Sequence, residues 1–174
     1  MAEDLFEVAV IMAGGRGSRL QGPSKPFMQL CGRPLLEHTL LPAVEVSRKV
    51  LIAISPHSEP YVSLFKPPPR ASYIMTNGAG YESDLSLLLS LVRARPMLVL
   101  AADLIGLTPD KLSYLRRASL SAPEAVITVR DGGKYVGVSV FKEGRVDAWA
   151  NLEVNWGLVN VNTLTDYGEA VERC

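Results

Sequence analysis

Apolar runs at residues 8–12, 50–54, 72–75, 97–101 and 125–129 are separated by stretches whose apolar residues recur at helical spacing. That alternation is the rhythm of parallel strands joined by crossover helices. It predicts an α/β fold, one domain over residues 1–174, with a mostly parallel sheet and helices on both faces. After Glu82, the spacing of Leu85, Leu88, Leu89 and Val92 predicts a helix with one face against the sheet. Thr108-Pro109 ahead of Asp110-Lys111-Leu112 reads as a cap followed by a first-turn proline, so another helix starts there. Pro34 can open a helix carrying Leu36, Leu40 and Val44, which Pro42 is expected to kink or end early. Pro67-Pro68-Pro69 marks a rigid surface connection into the third strand. Beyond the Gly132-Gly133 turn, residues 135–141 set Val136, Val138 and Val140 on one face against Gly137 and Ser139, the pattern of an extra strand that an antiparallel partner would suit.

Composition narrows the function. With 48% apolar and 21% charged residues among 174, the chain can bury a core unaided. Eighteen basic residues balance eighteen acidic ones, so no global field draws nucleic acid or an anionic membrane, and neither is an expected partner. The acidic start Met1-Ala2-Glu3-Asp4 and the short first apolar run point to neither a signal peptide nor a membrane span. Cys31 and Cys174 are too few and too unlike in position to suggest a disulfide framework, and a reducing, cytoplasmic setting is expected. The oligomeric state is open, a homodimer included.

The chemistry begins directly after the first strand, in Met12-Ala13-Gly14-Gly15-Arg16-Gly17-Ser18-Arg19 and, after Pro23-Ser24, Lys25. Three glycines in four positions let backbone N–H groups approach anionic oxygens, and Arg16, Arg19 and Lys25 supply the charge that glycine cannot. Two other glycine motifs fail here. A dinucleotide fingerprint read from Gly15 and Gly17 puts Leu20 where a third small residue is needed. A nucleoside-triphosphatase loop read from Gly17 meets Pro23-Ser24 where Lys-Ser or Lys-Thr is required. Pro23 and Pro26 exclude a long helix, so Lys25 is expected to return to the phosphates from an extended segment.

The run Gly14-Gly15-Arg16-Gly17-Ser18-Arg19 followed by Lys25-Pro26 resembles the signature of the nucleotidyltransferases that include sugar-nucleotide pyrophosphorylases and molybdenum-cofactor guanylyltransferase. The stretch from Lys25 to Leu35, then Gly78-Ala79-Gly80-Tyr81-Glu82-Ser83-Asp84-Leu85 and Ala102-Asp103-Leu104-Ile105-Gly106-Leu107, is similar in order and spacing to the archaeal GTP:adenosylcobinamide-phosphate guanylyltransferases. Asn160-Val161-Asn162-Thr163-Leu164-Thr165-Asp166 is similar to their closing motif, so the likeness covers most of the first 110 residues and the last fifteen. It implies a Rossmann-like nucleotidyltransferase fold, and transfer of GMP from GTP to a phosphate-bearing corrinoid with release of pyrophosphate, in cobalamin biosynthesis. Molybdenum-cofactor guanylylation, sugar-nucleotide synthesis and a non-catalytic nucleotide-binding module are the alternatives.

Ligands of open α/β sheets sit beyond the carboxyl ends of the strands, so the glycine loop, residues 76–81 and Asp103 should share one crevice. Arg19 and Lys25 are the expected catalytic cations, with Asp103 the catalytic ligand of Mg2+, which suits a site with few carboxylates. For Asp103 the plainer reading is a cap after the strand, and for the arginines a solvated face. Asn77, Gly78 and Gly80 are expected to frame the base, although Asn-Gly is equally a turn signal. Glu82 or Asp84 could accept from guanine N1 and N2, or simply sit well in a helix's first turn. The resemblance puts Gly137 and Asn162 on the acceptor side: Gly137 where the acceptor would approach backbone, although a strand bulge would equally explain it, and Asn162 to orient phosphate or a metal-bound water, although it is equally a candidate helix cap, with Thr165 competing for that role. Trp149, Trp156, Tyr81 and Tyr135 could wall a large planar acceptor or belong to the core. His38 and His57 fall in no catalytic pattern, and a phosphate acceptor with a second pKa near ~6 is already an oxyanion at neutral pH and needs no general base.

Overall fold

The computed structural model describes residues 4–17, 19–20 and 22–174; Ser18, one of the expected nucleotide-binding residues, lies outside them. In chain order the elements are β1 (Val8–Met12), β2 (Gln29–Leu30), β3 (Arg33–Pro34), α1 (Leu35–Val46), β4 (Val50–Ile54), β5 (Ala71–Met75), α2 (Tyr81–Leu91), β6 (Met97–Ala101), β7 (Leu104–Ile105), α3 (Pro109–Ser121), β8 (Val126–Asp131), β9 (Lys134–Phe141), β10 (Trp149–Val154), β11 (Val159–Asn160) and α4 (Leu164–Glu172). Seven strands form one sheet in the order β10-β8-β9-β6-β1-β4-β5. β1 lies parallel to both β4 and β6, β4 to β5, and β8 to β10, while β9 runs antiparallel between β6 and β8.

Side chains alternate across the sheet and divide the core in two. Ala9, Ile11, Ile52 and Leu98 pack with Leu36, Leu40, Leu112 and Leu115 of α1 and α3 on one face. Val8, Val10, Leu51, Met97 and Val99 pack with Leu88 of α2 on the other, with Leu85, Leu89 and Val92 against them. α1 continues through Pro42 to Val46, so this proline does not end the helix. A proline inside a helix costs ~3 kcal/mol, and Leu36, Leu40, Ala43 and Val46, all buried against the sheet, offset it. α3 starts as expected, with the Thr108 hydroxyl accepting from the Lys111 N–H and Pro109 in the first turn. Gly137 has φ +77°, and a Cβ there would stand 2.8 Å from that of Ala101. It lies opposite the register shift between Thr128 and Arg130, so close strand approach at a bulge accounts for this glycine.

A third, smaller cluster sits beyond the carboxyl ends of the strands. Leu20, Leu30, Leu35, Ile105, Val159, Val161 and Ala170 gather there with Met28 and Tyr167. They join the segment after the glycine loop, the β2–β3 hairpin, the β7–β11 ladder and α4. The same junction carries a disulfide between Cys31 and Cys174, Cα atoms 5.4 Å apart, which corrects the expectation of two unpaired thiols and removes the basis on which cysteine usage pointed to a reducing compartment. The bond spans a sequence separation of 143, so opening it with dithiothreitol or by Cys174→Ser should cost about 2–5 kcal/mol. Urea melts with and without reductant measure this, and a midpoint indifferent to reductant would contradict it. Among the described residues no helix is long and apolar enough to cross a membrane.

Candidate active site

β1 ends at the glycine loop, which folds tightly because the Gly17 carbonyl accepts from the N–H groups of Leu20 and Gly22. Gly17 has φ +58°, and a Cβ there would collide with the Gly22 carbonyl, so only glycine closes this turn. Gly22–Phe27 then forms a 3-10 helix, not the extended segment expected around Lys25. The fixed φ of Pro23 and Pro26 suits that tighter helix as well as it suits an extended chain.

Lys25 is where three segments meet. Its ammonium donates to Asp103 Oδ2 at 2.9 Å and to Asn162 Oδ1 at 2.9 Å. The ion pair is largely shielded, with side-chain exposures of 13% and 19%. Asp103 Oδ1 accepts from Asn160 Nδ2 at 3.2 Å, and the Asp103 carbonyl accepts from the Val161 N–H. The antiparallel pairing of β7 with β11 sets Asn160 and Asn162 beside Asp103. Asp103 caps no helix. Nor does Asn162: the α4 cap is Thr163, in a reciprocal box with Asp166, and neither Asn162 nor Thr165 fills that role. Asp166 Oδ2 accepts from the N–H groups of Asn162 and Thr163. The Asn162 amide chiefly, together with Thr163 and the Lys25 cation, holds the Asp166 carboxyl below the usual range.

Two adjoining clefts open on either side of Gly15 and Tyr81. One, of about 310 Å³, is lined by Met12, Gly14, Arg16, Ala53, Thr76, residues 78–81 and Asp84. The other, of about 190 Å³, runs past Ala13 and Gly17 to Lys25 and Asp103. Arg19 faces a cleft of about 220 Å³ shared with Lys25 and Asn162. A further cleft of about 370 Å³ adjoins Asn160 and Asn162 and extends along Lys134, Tyr135 and Val136. The structure therefore sets Met12, Ala13, Gly14, Gly15, Arg16, Gly17, Arg19, Lys25, Gly78, Gly80, Asp103 and Asn162 in the linings of neighbouring clefts that share residues with one another. Asn77 is exposed and stands outside these linings. Gly137 lines none of them either.

The four aromatics do not form one wall. Tyr81 separates the first two clefts, Tyr135 lines the cleft along β9, Trp149 stands 60% exposed on the edge strand β10, and Trp156 packs edge-on against Tyr114. Sequence reading also missed three supports. Asp131 is buried and accepts from the N–H groups of Trp156, Gly157 and Leu158, fixing the turn into β11. Ser55 donates to the Gly14 carbonyl and accepts from the His57 N–H. His57 Nε2 lies 3.2 Å from the Gly78 carbonyl, so this histidine, expected to be a bystander, braces the loop that edges the larger cleft. Asn160 was readable only as part of a motif, because its role depends on a two-residue ladder.

The arrangement can neutralise phosphate charge with Lys25, Arg19 and Arg16 while Asp103 stays available to a cation. Among the described residues no group of three or more His, Cys, Asp or Glu could hold a metal without help. Yet Asp103 Oδ2 and Asn162 Oδ1 already converge on one cation, the Lys25 ammonium. An oxygen pair of this kind fits Mg2+, which takes its other ligands from waters and substrate phosphates.

Residues 9–164 match the family described as MobA-like NTP transferase domain. The chain is 32% identical over 155 residues to adenosylcobinamide-phosphate guanylyltransferase of Methanocaldococcus jannaschii, covering 83% of this chain and 79% of that one. It is 30% identical over 112 residues to 2-C-methyl-D-erythritol 4-phosphate cytidylyltransferase of Aquifex aeolicus, covering 64% of this chain and 49% of that one. Among solved structures, Rv0371c of Mycobacterium tuberculosis in complex with manganese superposes with a TM-score of 0.75 at 15% identity, covering 96% of this chain and 98% of that one.

Proposed function

We propose, from the premise that the chain belongs to the MobA-like NTP transferase domain family and is a nucleotidyltransferase, that it moves GMP from GTP to the phosphate of adenosylcobinamide phosphate. The convergence of Lys25, Asp103 and Asn162 between the clefts carries the transfer chemistry. The guanylyl donor and the corrinoid acceptor rest on the Methanocaldococcus relative.

In this reading the base occupies the cleft beside Gly78 and Gly80, and the triphosphate crosses Gly15 and Gly17 toward Lys25. An oxyanion of the acceptor phosphate attacks the α-phosphorus, the bond to the bridging oxygen of the β-phosphate breaks, and pyrophosphate leaves with that electron pair. No proton has to be removed from the acceptor, which fits an active site with neither His38 nor His57 at its centre. Lys25 leaves Asp103 for the phosphate oxygens, where its charge meets the negative charge that grows in the transition state. Asp103, with Asn162 beside it, would hold the divalent ion, which when bound neutralises phosphate charge; manganese accompanies the Rv0371c structure. The cleft along Lys134 and Tyr135 is the acceptor side. A cytoplasmic setting belongs to the same reading, since nucleoside triphosphates are made and held there.

The test is pyrophosphate release with Mg2+ over a panel of donors and acceptors. GTP with adenosylcobinamide phosphate should give the highest kcat/KM. Preference for a sugar 1-phosphate, the molybdenum cofactor or methylerythritol phosphate would move the chain to another branch of the family, and GTP binding without release for any acceptor would make it a binding module.

A further inference from the structure

Asp84 is 5% exposed, yet it lines the larger cleft. Its Oδ1 accepts from the N–H groups of Gly78 and Ala79, at 3.1 and 3.4 Å, while Oδ2 has no hydrogen-bond partner among the described residues. Lys25, the cation of the neighbouring cleft, is engaged by Asp103 and Asn162. Oδ2 is not among the buried polar atoms cut off from solvent, and Asp84 lines the cleft, so a ligand donor seated there can take the place of water at this oxygen. The Gly78 carbonyl is engaged by His57, and the amides of Gly78 and Ala79 by Asp84 itself. Asp84 Oδ2 is therefore a charged acceptor still free to read a ligand from this wall. Glu82, the other carboxylate of the same turn, is exposed and lines neither nucleotide cleft.

We infer that Asp84 is the specificity-determining residue for the purine, with Oδ2 accepting from N1–H and the N2 amino group of guanine. This rests on the nucleotidyl-transfer reading above and deepens it. Guanine is the common base that offers adjacent N1–H and N2–H donors, whereas adenine presents an unprotonated N1 that a carboxylate repels. The loop bonds to Oδ1 fix the carboxylate, so the donor pattern is read by a rigid group.

Kinetics with GTP, ITP and XTP test the assignment. Hypoxanthine keeps N1–H but lacks the amino group, and xanthine replaces that group with a carbonyl. The wild type should favour GTP over ITP by about 10-fold and over XTP by about 100-fold in kcat/KM. In Asp84→Asn the amide oxygen keeps the loop contacts and the amide nitrogen now donates to the base. The GTP:XTP ratio should then fall by about 100-fold or more, carried mainly by KM. A variant that loses GTP and XTP equally, or a wild type indifferent between GTP and ITP, overturns the assignment while leaving guanylyl transfer in place. The GTP:ITP comparison needs no substitution, so a misfolded variant does not shield the idea. A wild type that prefers CTP or ATP overturns both this assignment and the guanylyl donor.

Discussion

Replacing Lys25 with alanine should lower kcat/KM by about 10³-fold with the fold intact, because a cationic side chain is removed from the place where phosphate charge develops. In the free protein that ammonium bridges Asp103 and Asn162, so the substitution also leaves Asp103 without its cation. Both groups retain some access to water, which limits the cost in stability to about 1–2 kcal/mol. The loss should appear in single-turnover rates as well as at steady state, since it acts on the chemical step. Arg19→Ala should lose less, because Arg19 is exposed at the rim of its cleft. Near-normal turnover in Lys25→Ala would take the residue out of the mechanism.

The second large effect is expected at Asp103. Asp103→Asn keeps the size of the side chain and an oxygen to accept from Asn160, but removes the charge that balances Lys25 and that would hold a divalent ion. Activity should fall by about 10³-fold, and the residual rate should need far more Mg2+. Because Lys25 and Asp103 touch, their effects should not add: the double variant should be little worse than the poorer single one. Additive losses would mean that the two residues serve separate steps.

How far the chain revealed these features follows from where each signal resides. The central strands were legible because each is an unbroken apolar run buried on both faces, and α2 and α3 because their periodicity and caps are local. The glycine loop was legible because Gly17 is required by its own turn. Two-residue ladders carry no periodicity, so β2–β3 and β7–β11 were invisible, and with them the reason that Asn160 and Asn162 reach Asp103. The Cys31–Cys174 bond was hidden for the same reason, since only the folded cluster around Leu30 and Ala170 brings its halves together. Pro42 does not end α1, because propensity is local and the burial that overrides it is not. Asp84 was one of two carboxylates in a helix's first turn, and only burial separates it from Glu82.

The measurement that bears most directly on the central claim is a crystal structure with a non-hydrolysable GTP analogue and Mn2+, located by its anomalous signal. The account predicts the base against Gly78 and Gly80, manganese at Asp103, and the Lys25 ammonium moved from Asp103 Oδ2 onto a phosphate oxygen. A triphosphate lodged elsewhere, or manganese away from Asp103 with the Lys25–Asp103 ion pair still closed, would contradict it.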